Sequence, residues 1–132
     1  MTTLKVGIAD YDEMKARTMR IARGEEKPAP SDPKVWFTST ESFAKVLSAG
    51  NRELLRVIAE QAPGSLEELA EITGRAASNL SRTLKTMESY GLVRMERGQG
   101  RKLAPKVVHD MVELELPLVK RAKPKKAAGG RR

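Results

Sequence analysis

Apolar residues recur along this chain with two periods, and the places where the period changes mark its elements. In "TLKVGIAD", Leu4, Val6 and Ile8 alternate with other residues, the pattern of a half-buried strand. Asp10 with Glu13 three positions on has capping-box spacing, so a helix is expected to run to about Arg23 and stop at Gly24. Tyr11, Met14, Thr18 and Ile21 form its less polar stripe, and Lys15, Arg17, Arg20 and Arg23 make the rest basic. Three prolines and no apolar period in "GEEKPAPSDP" predict a stiff linker over 25–34.

Beyond the linker, "KVWFTS" is expected to be a short strand, with Trp36 as a core anchor. Thr38 to Glu41 matches a capping box, and the helix after it would bury Phe43, Val46 and Leu47 and end at Gly50. Asn51 is the expected cap of a second helix that turns Leu54, Leu55, Ile58 and Ala62 inward and breaks at Pro63-Gly64. Ser65 and Glu68 would cap a short helix through Leu66, Leu69 and Ala70, ending near Thr73-Gly74. The next helix, 76–90, places Ala77, Leu80, Leu84 and Met87 at intervals of three, four and three, one buried stripe.

After Gly91 the period becomes two. "LVRMER" and "RKLAPKV" flank Gly98-Gln99-Gly100, which predicts a hairpin over 92–108; Pro105 cannot donate to a ladder, so its arm is an edge strand or ends early. "MVELEL" alternates again, with Val112, Leu114 and Leu116 on one face. Two such strands near opposite ends of the sequence invite pairing with each other, within one chain or across a dimer. The tail "KRAKPKKAAGGRR" has no core-forming pattern and is expected to be disordered. The predicted fold is therefore mainly α with a small β component: an N-terminal strand-helix extension over 1–24, a linker over 25–34, a domain over 35–118 and a basic tail over 119–132.

Charge sharpens this division. Residues 1–74 carry a net charge of −2, residues 75–106 hold eight basic and two acidic side chains, residues 107–118 carry −3, and all seven charged residues of 119–132 are basic. Positive charge segregated into two blocks creates a field that attracts polyanions, which the same excess scattered evenly would not. The first block coincides with an unusual helix. In "GRAASNLSRTLKTMESYGLV" serine, threonine and asparagine, which compete with the helical backbone for hydrogen bonds, crowd the side opposite the apolar stripe. Ser78, Asn79, Ser81, Arg82 and Lys85 project there, mostly in the first two turns. Such a helix suits the major groove of DNA, where arginine bonds guanine bidentately and asparagine bonds adenine. Arg82 and Asn79 are the candidates for base readout, Ser78 and Ser81 for bases or phosphates, and Lys85 for a phosphate.

The segment "SLEELAEITGRAASNLSRTLKTMESYGLVRMERGQGRK", within Asn51 to Val108, resembles the MarR-like winged-helix transcriptional regulators. The whole chain is also similar to small prokaryotic winged-helix proteins, some of them thought to be antitoxins encoded beside a toxin. The resemblance implies a winged helix-turn-helix whose wing adds Arg94, Arg97, Arg101 and Lys102 to the DNA surface. Lys120, Arg121, Lys123, Lys125, Lys126, Arg131 and Arg132 of the tail would add sequence-independent affinity.

The chemistry left out is equally informative. With no cysteine and one histidine, His109, disulfides, thiol catalysis and His/Cys metal sites are excluded, and no glycine-rich phosphate loop or activated nucleophile is present. No cofactor and no enzymatic activity are expected. There is no membrane span or secretory signal in the sequence, so a cytoplasmic protein is expected. The expected function is a sequence-specific, double-stranded DNA-binding regulator, a repressor acting as a homodimer. The alternatives are an antitoxin that binds a toxin partner and autoregulates its operon, and an RNA-binding winged helix.

Overall fold

A computed structural model describes residues 2–98 and 100–119. It is a mixed α/β structure, with five helices and two small sheets among the described residues. β1 (Thr3–Ile8) is the middle strand of a parallel sheet, flanked by β2 (Val35–Phe37) and β5 (Met111–Glu115). The two alternating strands from opposite ends of the sequence thus pair within one chain, Leu4 beside Val112 and Val6 beside Leu114. The first strand is accordingly the central strand of that sheet.

Strand alternation decides what each sheet face meets. One face presents Leu4, Val6 and Phe37, which join Leu54, Ile58, Leu69, Leu80, Leu84 and Met87 in a single buried cluster. The other presents Gly7 and Trp36. The indole packs over Gly7 so closely that a Cβ there would lie 2.6 Å from a ring carbon. Above it runs α1 (Tyr11–Ala22), which connects β1 to β2 and buries none of its residues. Arg17 spreads over Trp36, 5.6 Å from the ring centre, and pairs with Asp32 and Glu26. Tyr11 and Thr18 of the expected apolar stripe are exposed, and Met14 and Ile21 are half-buried. Trp36 anchors α1 to the sheet from outside the buried cluster.

Four helices follow β2: α2 (Thr40–Val46), α3 (Ala49–Gln61), α4 (Leu66–Thr73) and α5 (Ala77–Ser89). Their caps differ from the expected ones in instructive ways. Asp10 and Glu13 do form a capping box on α1. On α2 the cap is Ser39, whose hydroxyl accepts from the Ser42 N–H, and not Thr38. On α3 the cap is Ser48, which accepts from the Asn51 N–H. Asn51 therefore sits one turn inside the helix, and Gly50 belongs to that same first turn instead of ending α2. Val57, three residues after Leu54, shares the buried side of α3 with Leu54 and Ile58. Ala62 takes a left-handed conformation to end α3 and is exposed, contrary to its expected inward position. On α4 Ser65 caps Glu68 as expected, while the Glu68 carboxylate reaches back to the Gly64 N–H. Gly74 closes α4 at φ 75°.

α5 is held by Leu80, Leu84 and Met87, all buried. Full burial of such side chains is worth roughly 1.5–3 kcal/mol each. Ala77, expected in the same stripe, is exposed because the first turn of α5 projects past the core. At the other end of α5, Tyr90 stacks on Phe37 with ring centres 4.1 Å apart, which fastens the helix to the parallel sheet. β3 (Val93–Arg97) and β4 (Leu103–Val107) then form the antiparallel hairpin, with Pro105 opposite Met95 in the middle of the ladder. In a two-stranded sheet each strand has one free edge, so β4 continues through the proline.

Candidate nucleic-acid interface

The exposed side of α5 follows from its core side. With Leu80, Leu84 and Met87 inward, a rotation of about 100° per residue puts Ser78, Arg82 and Lys85 furthest from the core. Asn79 and Ser81 fall on opposite flanks. All five are solvent-exposed. They do not, however, share one environment. Asn79 and Arg82 line a groove toward α2 and α3, whereas Ser81 and Lys85 line a cleft toward the hairpin.

The hairpin is seated by backbone contact. Its turn closes with the Gly98 N–H donating to the Lys102 carbonyl at 2.7 Å. Gly98 itself lies against the α3–α4 turn, where a Cβ would stand 2.3 Å from the Gly64 carbonyl oxygen and 2.8 Å from the Ala104 Cβ. Only glycine permits that approach, so the turn end of the hairpin is pinned next to the amino terminus of α4. Arg94, Arg97, Arg101 and Lys102 are all exposed on it. Two are engaged: Arg94 bonds Glu96 on its own strand, and Lys102 lies 3.8 Å from Glu67 on α4. Arg97 and Arg101 form no ion pair with a described carboxylate, and the same holds for Arg82 and Lys85. The seven basic tail residues assigned to sequence-independent binding, Lys120 to Arg132, lie outside the described residues.

The two flanks of α5 differ in charge. The hairpin cleft mixes Glu67 and Glu88 with Lys85 and Lys102, over a floor of Leu66, Leu84 and Met95. The opposite groove, about 320 Å³, is lined by Lys45, Asn51, Asn79, Arg82, Thr83 and Thr86 and by no acidic side chain. Hydrogen bonds fix its end. Arg75 donates to the Gly50 carbonyl at 3.0 Å and reaches Asn51 Oδ1 at 3.5 Å, and the Asn51 amide donates to the Val46 carbonyl at 3.1 Å. These bonds tie the end of α2, the start of α3 and the approach to α5 into one unit. Sequence reasoning missed Lys45, Arg75 and Asn51 as parts of this surface. Arg75 immediately precedes the polar helix and could have been found there; Lys45 lies 37 positions before Arg82 and meets the groove only through the fold.

Other cations are committed elsewhere. On α3 the Arg56 guanidinium bonds both Glu53 and Glu60, and its hydrogen bond holds the Glu53 carboxyl below the usual carboxylate range. Beside it, Arg52 donates to the Leu47 carbonyl. His109 accepts or donates across 2.7 Å to the Thr2 hydroxyl near the foot of β5, with no acidic partner in a catalytic arrangement. No helix among the described residues is long and apolar enough to cross a membrane.

Residues 46–114, from the end of α2 into β5 and a little over half of the chain, match the family model described as HVO_A0114. No curated protein and no solved structure matches the chain.

Proposed function

We propose that this chain, which belongs to the HVO_A0114 family, is a non-enzymatic, sequence-specific double-stranded DNA-binding regulator built on a winged helix-turn-helix. In this reading α4 and α5 are the helix-turn-helix, α5 enters the major groove, and the β3–β4 hairpin is the wing. One observation carries it. The first two turns of α5 expose short polar side chains and Arg82, Lys85 follows in the next turn, and neither cation pairs with a described carboxylate, beside a hairpin that carries Arg97 and Arg101 about its turn.

Short side chains let the helix approach base edges, and the core stripe holds its axis in place while they do so. Arg82 projects furthest and is assigned to base readout, with Asn79 beside it and Ser78 and Ser81 at bases or phosphates. Lys85, one turn on, meets a phosphate. The hairpin cations set charge against the backbone or the narrow minor groove, which positions the protein without specifying sequence. A repressor that occupies a two-fold operator requires a dimer. β1 and β5, the two strands that could have paired across a dimer, pair with each other within one chain, which leaves α1 and the outer edge of β5 for an assembly.

Selection of bound duplexes from a genomic fragment library at low salt tests the reading and identifies the operator. Enrichment of one sequence is the expected result, and failure to retain any duplex overturns it. On the selected site, Arg82→Ala is expected to reduce discrimination against random DNA by about 1–3 kcal/mol. An equal loss on both duplexes would reassign Arg82 to a phosphate.

A further inference from the structure

We infer that the α2–α5 groove is a second DNA-backbone contact, in which Lys45 of α2 neutralises a phosphate on the side of α5 away from the wing. The inference rests on the DNA-binding reading above and extends the interface to a helix outside the helix-turn-helix and the wing.

Three observations converge on it. First, Lys45 is exposed and lines the groove together with Arg82 and Asn79, so a strand contacted by α5 passes within reach of it. Second, the groove is lined by lysine, arginine, two amides and two threonines, with two cations and no carboxylate. The wing-side cleft instead holds Glu67 and Glu88, and Glu67 already engages Lys102. A phosphodiester backbone is attracted by the first surface, whereas the second, with two carboxylates against two lysines, carries no net charge to draw it. Third, the groove is preorganised. Arg75 and Asn51 bond the adjoining ends of α2 and α3, so the backbone next to Lys45 is held before any ligand arrives. A fixed backbone leaves only the lysine side chain to be ordered when this contact forms.

A phosphate contact has a signature distinct from base readout. Each one neutralised on duplex DNA contributes about 0.9 to the log-log slope of affinity against salt. Lys45 makes its contribution on any sequence, so the probe is a labelled random-sequence duplex, titrated with the full-length protein over a range of salt concentrations. Lys45→Ala is expected to flatten the slope by about 0.9 and to weaken binding at low salt, with Lys45→Arg restoring both. Lys15→Ala, which removes an exposed charge from α1, is expected to leave the slope unchanged. Lys45 is on the surface, and an unaltered melting temperature shows that the variant is folded.

A Lys45→Ala slope equal to that of the unaltered protein overturns this inference and leaves the proposed function standing. So does an equal flattening by Lys15→Ala, which would trace the effect to net charge. If the unaltered protein binds no duplex at all, both readings fall together. A flattening on a structured RNA probe with no duplex binding would transfer the groove to a different partner and overturn the assignment to DNA.

Discussion

Gly98 does its work by lacking an atom. A methyl group there would stand 2.3 Å from the Gly64 carbonyl oxygen, a backbone atom that cannot swing aside as a side-chain end can. Gly98→Ala must therefore lift the hairpin from the α3–α4 turn. Overpacking of this kind costs typically about 1–3 kcal/mol, so a lower denaturation midpoint is expected, and the proposed function further predicts weaker duplex binding as the hairpin is displaced. Unchanged stability in a chemical denaturation titration would show that the hairpin shifts freely. At this scale sequence reasoning placed Gly98 in the turn and stopped there, because its demanding neighbour is 34 positions away and contributes only backbone. The same limit hid Lys45 and Asn51. The outward set of α5 was legible, since the period that buries Leu80, Leu84 and Met87 also dictates which residues are left outside.

Among the elements, α4 shows how local chemistry sets a helix that long-range contacts then use. Ser65 is buried, caps Glu68, and precedes a helix of only eight residues whose Leu69 is fully buried between its neighbours. A helix so short owes its stability to caps and packing more than to propensity. Ser65→Ala is expected to cost about 0.5–2 kcal/mol, read as a reduced melting temperature, and no loss would mean that packing alone holds α4. Ser65 was identified from spacing. The caps of α2 and α3 were displaced because several cap-forming residues stand close together there, serines and threonines in "FTSTES" and Ser48 with Asn51 in "LSAGN", and more than one satisfies the same local rule. Which hydroxyl caps is decided by where Phe43 and Leu54 must point to reach the core. The polar face of α5 is the converse case: it has no side-chain cap and many weak helix formers, and it is held by its buried stripe and by the Tyr90–Phe37 stack.

Across the whole molecule the decisive fact is that β1 is a central strand. It supplies Leu4 and Val6 to the core that carries α3 and α5, and hydrogen-bonds β2 on one side and β5 on the other. Removal of residues 1–9 takes away both neighbours' partner at once. Loss of a cooperative thermal transition is expected, and under the proposed function loss of duplex binding with it. A truncated chain that melts like the full one would make the parallel sheet an accessory to the helical body. The alternation of Leu4, Val6 and Ile8, the Ser65 cap, the buried stripe of α5, the hairpin and the segregated charge were legible along the chain, because each is a rule about residues a few positions apart. The sheet partners of β1, the seating of Gly98 on Gly64 and the meeting of Lys45 with Arg82 were decided only when the chain closed on itself. They depend on which apolar faces bury each other, and local spacing carries no record of that choice.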